Sequence, residues 1–222
     1  TNVSMTERGD TLDCDIAIAP NKPNTISIQP EGTNTSGDFG AAVSLTYENR
    51  NLFRGSETLS LSLRGSYEAI TGLEGYNNQD YIEYGVEARL QFPRFLAPFV
   101  SRFFKRMILS TSELSVAYNS QDRPEFHRRM FSAAWRYKWA EPRHHTSYTF
   151  DLLDLNYVFL PWISETFKKE YLDSETSNNV ILRYNYEDLF IMKMGFGLNY
   201  NNGINALKLN FETSGNLLQL IS

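Results

Sequence analysis

Few residues in this chain have a type and spacing that could do chemistry. His144-His145 suggests a metal ligand pair or a catalytic base. Adjacent side chains on a strand point to opposite faces, and no Cys or carboxylate stands at a recognisable ligand spacing, so no metal site is read there. Asp151 and Asp154 have opposite parity on a regular strand, which argues against a paired acid and base. His127, with Ser120 and Asp122 nearby, is the one cluster that suggests a hydrolase at a barrel rim, and no motif marks a nucleophile in it. Phosphate-binding glycine loops of the Walker or dinucleotide type are absent. These residues read as no enzyme, with no metal and no cofactor.

The elements that carry these residues are more informative than the residues themselves. Phe39, Ala41, Val43, Leu45 and Tyr47 share one parity, with Gly40, Ala42, Ser44, Thr46 and Glu48 on the other. Past a short polar turn, Leu59, Leu61, Leu63 and Tyr67 alternate with Ser60, Ser62, Arg64 and Ser66. Period two is the strand period, so this is a hairpin with one apolar and one polar face. The runs exceed the usual five or six residues of a globular strand and approach the roughly nine to eleven that a tilted strand needs to cross a bilayer.

Composition leaves that possibility open and closes others. The 222 residues suffice for one large domain, and a net charge of −5 gives no general attraction to nucleic acid. Mean hydropathy is −0.40. The longest apolar runs, Phe95 to Val100 and Val158 to Ile163, fall far short of the roughly eighteen residues of a membrane helix. Helical spans are excluded, but barrel strands average to low hydropathy because every second residue is polar. Cys14 is alone, so no internal disulfide forms. Neither a charged nor an apolar leader follows Thr1, and both ends of the chain read as cut.

Taken in order, Thr11 to Ala19 reads as a short strand broken by Pro20-Asn21-Lys22-Pro23. Ile26 and Ile28 begin a short or irregular strand that runs into a turn-like segment from Glu31 to Gly37. Ile70 to Asp80 reads as a loop. Ile82 to Phe92 is the clearest strand, with three charges on one face and none on the other. Arg94 to Arg106 changes period: Phe95, Phe99 and Phe103 recur at helical spacing beside Arg102, Lys105 and Arg106, as in a short basic helix at a bilayer surface, although Pro98 interrupts it. Trp135, Tyr137 and Trp139 cluster at one end of the next strand pair, as an interfacial aromatic girdle does. Tyr148 to Phe159 changes face near Leu152-Leu153, as at a bulge. Pro161 to Asn179 is a second helix-like insert, and Asn201-Asn202-Gly203 is a hairpin turn. The expected fold is all-β: an antiparallel transmembrane barrel, here an open curved sheet of about eight or nine strands with one or two short helical inserts.

The stretch from Ile16 to Tyr67 resembles a junction in the BamA/TamA-like outer-membrane insertase superfamily, where the last periplasmic POTRA domain hands over to the barrel. The residues that carry the likeness are LDCDIAIAP, EGTNTSGDFGAAVSL, and the turn holding Asn49, Arg50, Asn51, Leu52, Phe53 and Gly55. Later, YNYEDLFIMKMGFGLNYNN and LKLNFETSGNLLQLI are similar to the TamA-like lipoprotein branch of Bacteroidetes. The family's lumenal Arg-Gly-aromatic motif has no match, because Arg54-Gly55 is followed by Ser56. The resemblance implies that residues 1–22 end a POTRA-like domain and residues 23–222 form the N-terminal half of a barrel of about sixteen strands, within the even-numbered range of bacterial barrels. It implies an outer-membrane location in a Gram-negative bacterium, and insertion or translocation through a weakly paired first strand marked by Ile26, Ile28 and Gly32. Implied partners are the lipid bilayer, client outer-membrane proteins and periplasmic or lipoprotein accessory subunits. The turn and the basic segment would lie on the periplasmic side, with Ile70 to Asp80 outside. A passive pore, a barrel hydrolase and a soluble all-β binding protein are the alternatives.

Overall fold

Alternation in the sequence becomes a meander in space. The computed structural model describes residues 2–17, 22–35, 38–69, 80–96, 101, 108–168 and 186–215. Two strands, β1 (Asn2–Arg8) and β2 (Thr11–Ala17), pair as an antiparallel hairpin around Gly9, whose φ of +64° suits a glycine. The other nine form one antiparallel sheet: β3 (Asn24–Thr35), β4 (Asp38–Asn49), β5 (Thr58–Ala69), β6 (Asp80–Phe92), β7 (Leu109–Asp122), β8 (Phe126–Glu141), β9 (Thr146–Ile163), β10 (Leu189–Asn201) and β11 (Ala206–Ser214). Each pairs with its neighbours in sequence, and the order runs without crossover from β3 to β11.

This sheet is open. Among the described residues, β3 and β11 each keep one unpaired edge. Eight antiparallel pairings separate them, so the two edge strands run in the same direction. Helix is confined to two single turns among these residues, Pro142–His144 and Glu165–Phe167.

Several expectations need correction. The strand of Ile26 is neither short nor irregular, for all twelve residues of β3 pair with β4, and Glu31 to Thr35 belong to the strand rather than to a turn. The reason is the partner: β4 alternates so regularly that it holds a weak sequence in register. Pro30 is accommodated because Arg50 N donates to Pro23 O, which directs the odd-numbered positions of β3 toward β4 and the even-numbered ones, Pro30 included, toward the free edge. Pro161, Trp162 and Ile163 are not helical but end β9. The register shifts between His127 and Arg129, so Leu160 and Pro161 lie across a bulge where the missing proline N–H leaves no rung unfilled. His144 and His145 sit in a turn, not on a strand, with His145 at φ 52°.

Asp151 and Asp154 are also corrected. Trp135 faces Leu153 while Arg136 faces Asp151, so Leu152 is the extra residue of a bulge. On the other side Lys193 faces Asp154 and Gly195 faces Asp151. The extra residue places both carboxylates on the polar face. Asp80, expected in the loop from Ile70, instead begins β6 by pairing with Ala69. Phe95, expected on a helix, lies in an irregular segment after β6. Residues 70–79, the helical positions Phe99, Arg102, Phe103, Lys105 and Arg106, and residues 169–185 lie outside the described residues.

Close approach fixes the start of the sheet at Gly40. A Cβ there would lie 2.5 Å from Thr33 Oγ1 and 3.0 Å from the Tyr67 carbonyl oxygen, so β3 and β5 leave no room for a side chain. Gly40→Val is expected to lower stability by about 1–3 kcal/mol through overpacking. Gly65→Val, where nothing lies within 4 Å of an added Cβ, is the control for a urea titration of the folded chain.

Candidate functional site

Register turns the alternation into continuous rows. Ile28, Leu45, Leu63, Val86, Tyr118, Phe131, Tyr157 and Phe190 stand opposite one another from β3 to β10. The next row carries Ile26, Tyr47, Leu61, Ala88, Val116, Ala133, Leu155 and Met192. This apolar face is exposed: Val43 is 51%, Leu63 48% and Val86 47% accessible. Following the registers along β3 to β11, charge occurs on that face only within four residues of a strand end, at Asp80, Asp122, His127, Arg129 and Glu141. Soluble proteins bury such rows, and an exposed apolar surface of this extent marks an interaction site.

The opposite face holds the charges, and it pairs them. Arg64 bonds Glu31 at 3.0 Å, Lys138 bonds Glu113 at 3.2 Å, Arg89 pairs with Glu87, and Arg136 pairs with Asp151. Asn119 and Gln121 both donate to Glu83 Oε1, at 2.7 and 3.4 Å. Gly195 and Gly197 leave room for Asp151 and Asn210, and around them a polar trough of about 480 Å³ opens between β8 and β11.

One end of the sheet carries the turn singled out in the sequence. Asn49 Oδ1 accepts from Asn51 N at 3.0 Å, and Asn51 Oδ1 accepts from Ser56 N at 3.2 Å. Arg50 bonds Glu48 at 2.7 Å, which raises the guanidinium pKa above its ordinary value. Leu52 N bonds the Glu57 carbonyl, and Phe53 projects into solvent. At the base of the turn Glu57 is only 2% exposed. Its Oε2 accepts from Gly55 N at 2.9 Å and its Oε1 from Arg94 Nη2 at 3.3 Å. The turn is therefore tied to the segment after β6. In the sequence Glu57 reads as the last residue of this turn with no role assigned to it, since its only local signal is a carboxylate two residues past a glycine.

The segment after β6 crosses onto the apolar face. Leu96 N donates to Ser112 Oγ at 3.0 Å, and Ser112 Oγ donates to the Arg94 carbonyl at 2.9 Å. Phe95 stacks on Tyr137 at 4.7 Å and meets Trp139 edge-on at 5.8 Å. Of the aromatic trio, Trp135 and Trp139 remain partly exposed while Tyr137 is covered by Phe95. Tyr148 stacks on Trp139 at 5.1 Å and continues the aromatic band to Phe196.

At the opposite end, Ser120, Asp122 and His127 are not hydrogen-bonded to one another as a triad. Ser120 is wholly buried and its hydroxyl has no partner, His127 Nδ1 lies 3.9 Å from Asp122, and Arg129 already occupies that carboxylate at 2.5 Å. Ile26, Ile28 and Gly32 lie on β3 beside its free edge, on the apolar face. What the fold and these surfaces define is an open antiparallel meander with an exposed apolar face. No protein-family model, curated protein or solved structure matches this chain.

Proposed function

We propose that residues 23–222 are the first half of an outer-membrane β-barrel of the BamA/TamA-like insertase kind, preceded by the end of a POTRA-like domain. The observation that carries this reading is the exposed apolar face, free of charge along the middle of nine successive strands. Lipid is the solvent that makes such a face stable, and the paired charges opposite suit a wet lumen. Strands of twelve to eighteen residues from β3 to β10 are long enough to cross hydrocarbon and reach both interfaces. Because the two edges run in the same direction, an odd number of further strands closes the sheet with every pair antiparallel, which yields the even total of bacterial barrels.

Insertase function rests on the turn, the junction and the free edge of β3. An incoming strand can add to that edge by β-augmentation, and Pro30 removes one donor from it. The partners are then the bilayer, client outer-membrane proteins and accessory subunits. Membrane fractionation of the full-length gene product, with boiled and unboiled samples compared by electrophoresis, tests the barrel. An outer-membrane band with heat-dependent mobility is expected, and a soluble product without a shift rejects the reading. A disulfide from β3 to the strand that closes its edge is expected to abolish insertion, and undiminished insertion rejects the seam.

A further inference from the structure

The outer row at the Glu57 end contains one small residue among large ones: Ser112 stands between Phe92 and Tyr137. The dent it leaves is roofed by the chain from Arg94 to Leu96, pinned through the two hydrogen bonds of the Ser112 hydroxyl. Beneath the roof lies a cavity of about 220 Å³ lined by Leu90, Phe92, Leu96, Ser112, Leu114 and Trp135, and by Glu113, whose carboxylate turns to the other face and bonds Lys138. Leu90, Leu114 and Trp135 face one another across β6, β7 and β8, so the floor is continuous.

We propose that this niche holds part of one acyl chain of a phospholipid, the rest of the chain running out over the exposed apolar face, with Arg94 beside the niche binding the phosphate. The proposal rests on the membrane reading above and adds a specific lipid site to it. The walls are apolar side chains, and the hydroxyl that reaches the niche, that of Ser112, is already bonded to the backbone at 94 and 96. Such a space rejects water and sugars, whereas an apolar cavity of about 150 Å³ already holds benzene. The Arg94 carbonyl accepts from Ser112, a lining residue, so its side chain starts beside the niche. One of its nitrogens is held by Glu57 at 3.3 Å, while the side chain is largely exposed. A guanidinium carries five donors in a planar fork suited to phosphate oxygens. Hydrocarbon in the niche and an anion beside it together describe a single-chain phosphate ester or one leg of a diacyl lipid.

Native mass spectrometry of the delipidated full chain in detergent tests the site, with 1-palmitoyl lysophosphatidylglycerol and 1-palmitoyl glycerol as probes of equal chain length. One adduct with the phosphate lipid is expected, about tenfold tighter than with the neutral one, as charge-assisted bonds of that strength give. Arg94→Ala should erase the difference. Leu114→Trp should fill the niche and abolish both adducts, and Val43→Trp on the open apolar face should change neither. If Leu114→Trp does not fold, Leu90→Trp on the same floor fills the space and leaves the Ser112 hydrogen bonds in place. An adduct indifferent to niche filling or to Arg94 overturns the proposal. A chain that needs detergent yet forms no adduct overturns the niche alone, while a chain soluble without detergent and indifferent to lipid overturns the membrane reading with it.

Discussion

Val86→Arg is expected to cost about 2–4 kcal/mol of folding stability in a bilayer, the penalty for a cation at the lipid-facing midplane of a barrel. Val86 stands midway along β6, between Leu63 and Tyr118, and nearly half of it is exposed. In a soluble protein an exposed valine of this kind accepts arginine within about 0.5 kcal/mol. The same substitution therefore separates the two solvents by several-fold in energy. Urea titration of the chain refolded into vesicles measures it. Ser62→Lys, on the polar face between Thr46 and Glu87, is the matched control and should stay near wild type.

The second large effect is expected at Glu57. Removing this buried carboxylate by Glu57→Ala strips the acceptor from Gly55 N and Arg94, at a cost of about 1–3 kcal/mol. A side chain on Gly55 would collide with the Glu57 carboxylate, so Gly55→Ala is destabilising by itself. In the Glu57→Ala background that collision is gone. The double mutant should therefore be more stable than the sum of the single changes predicts, by a coupling of about 0.5–3 kcal/mol. Additive costs in thermal or urea unfolding would mean that the Glu57 carboxylate does not fill the space beside Gly55.

The strands were legible because strict alternation of apolar and polar residues runs from β4 to β8. Leu45, Leu63 and Val86 repeat the same two-residue period, and register follows once the apolar face is assigned. The bulge at Leu152 was legible as a change of face, but its consequence was not: a parity count that assumes a regular strand separates Asp151 from Asp154, and one extra residue reunites them. β3 was underestimated because Pro30 and Gly32 are poor strand residues by themselves, and only a partner such as β4 explains why they are tolerated. The hairpin partner β1 carries Val3 and Met5 in too short a run to stand out from polar neighbours. The roles of Glu57 and Ser112 escaped sequence reading for a further reason. They depend on Arg94 and Leu96, which lie 37 and 16 positions away, and no local pattern encodes that distance. The apolar rows say which face is oily, and the exposure of Val43, Leu63 and Val86 says that the rest of the chain does not bury it among the described residues.

The central claim, that lipid covers the apolar face and water the polar one, is tested most directly by paired spin labels at Val86 and Glu87. In a Cys14→Ser background, Val86→Cys and Glu87→Cys are labelled and reconstituted in vesicles, and accessibility to oxygen and to a water-soluble nickel chelate is read by paramagnetic relaxation. The account predicts that Val86 relaxes with oxygen and Glu87 with nickel, with the order inverting again at Ala88. Nickel access at both Val86 and Ala88, or no difference between the two faces, would contradict it.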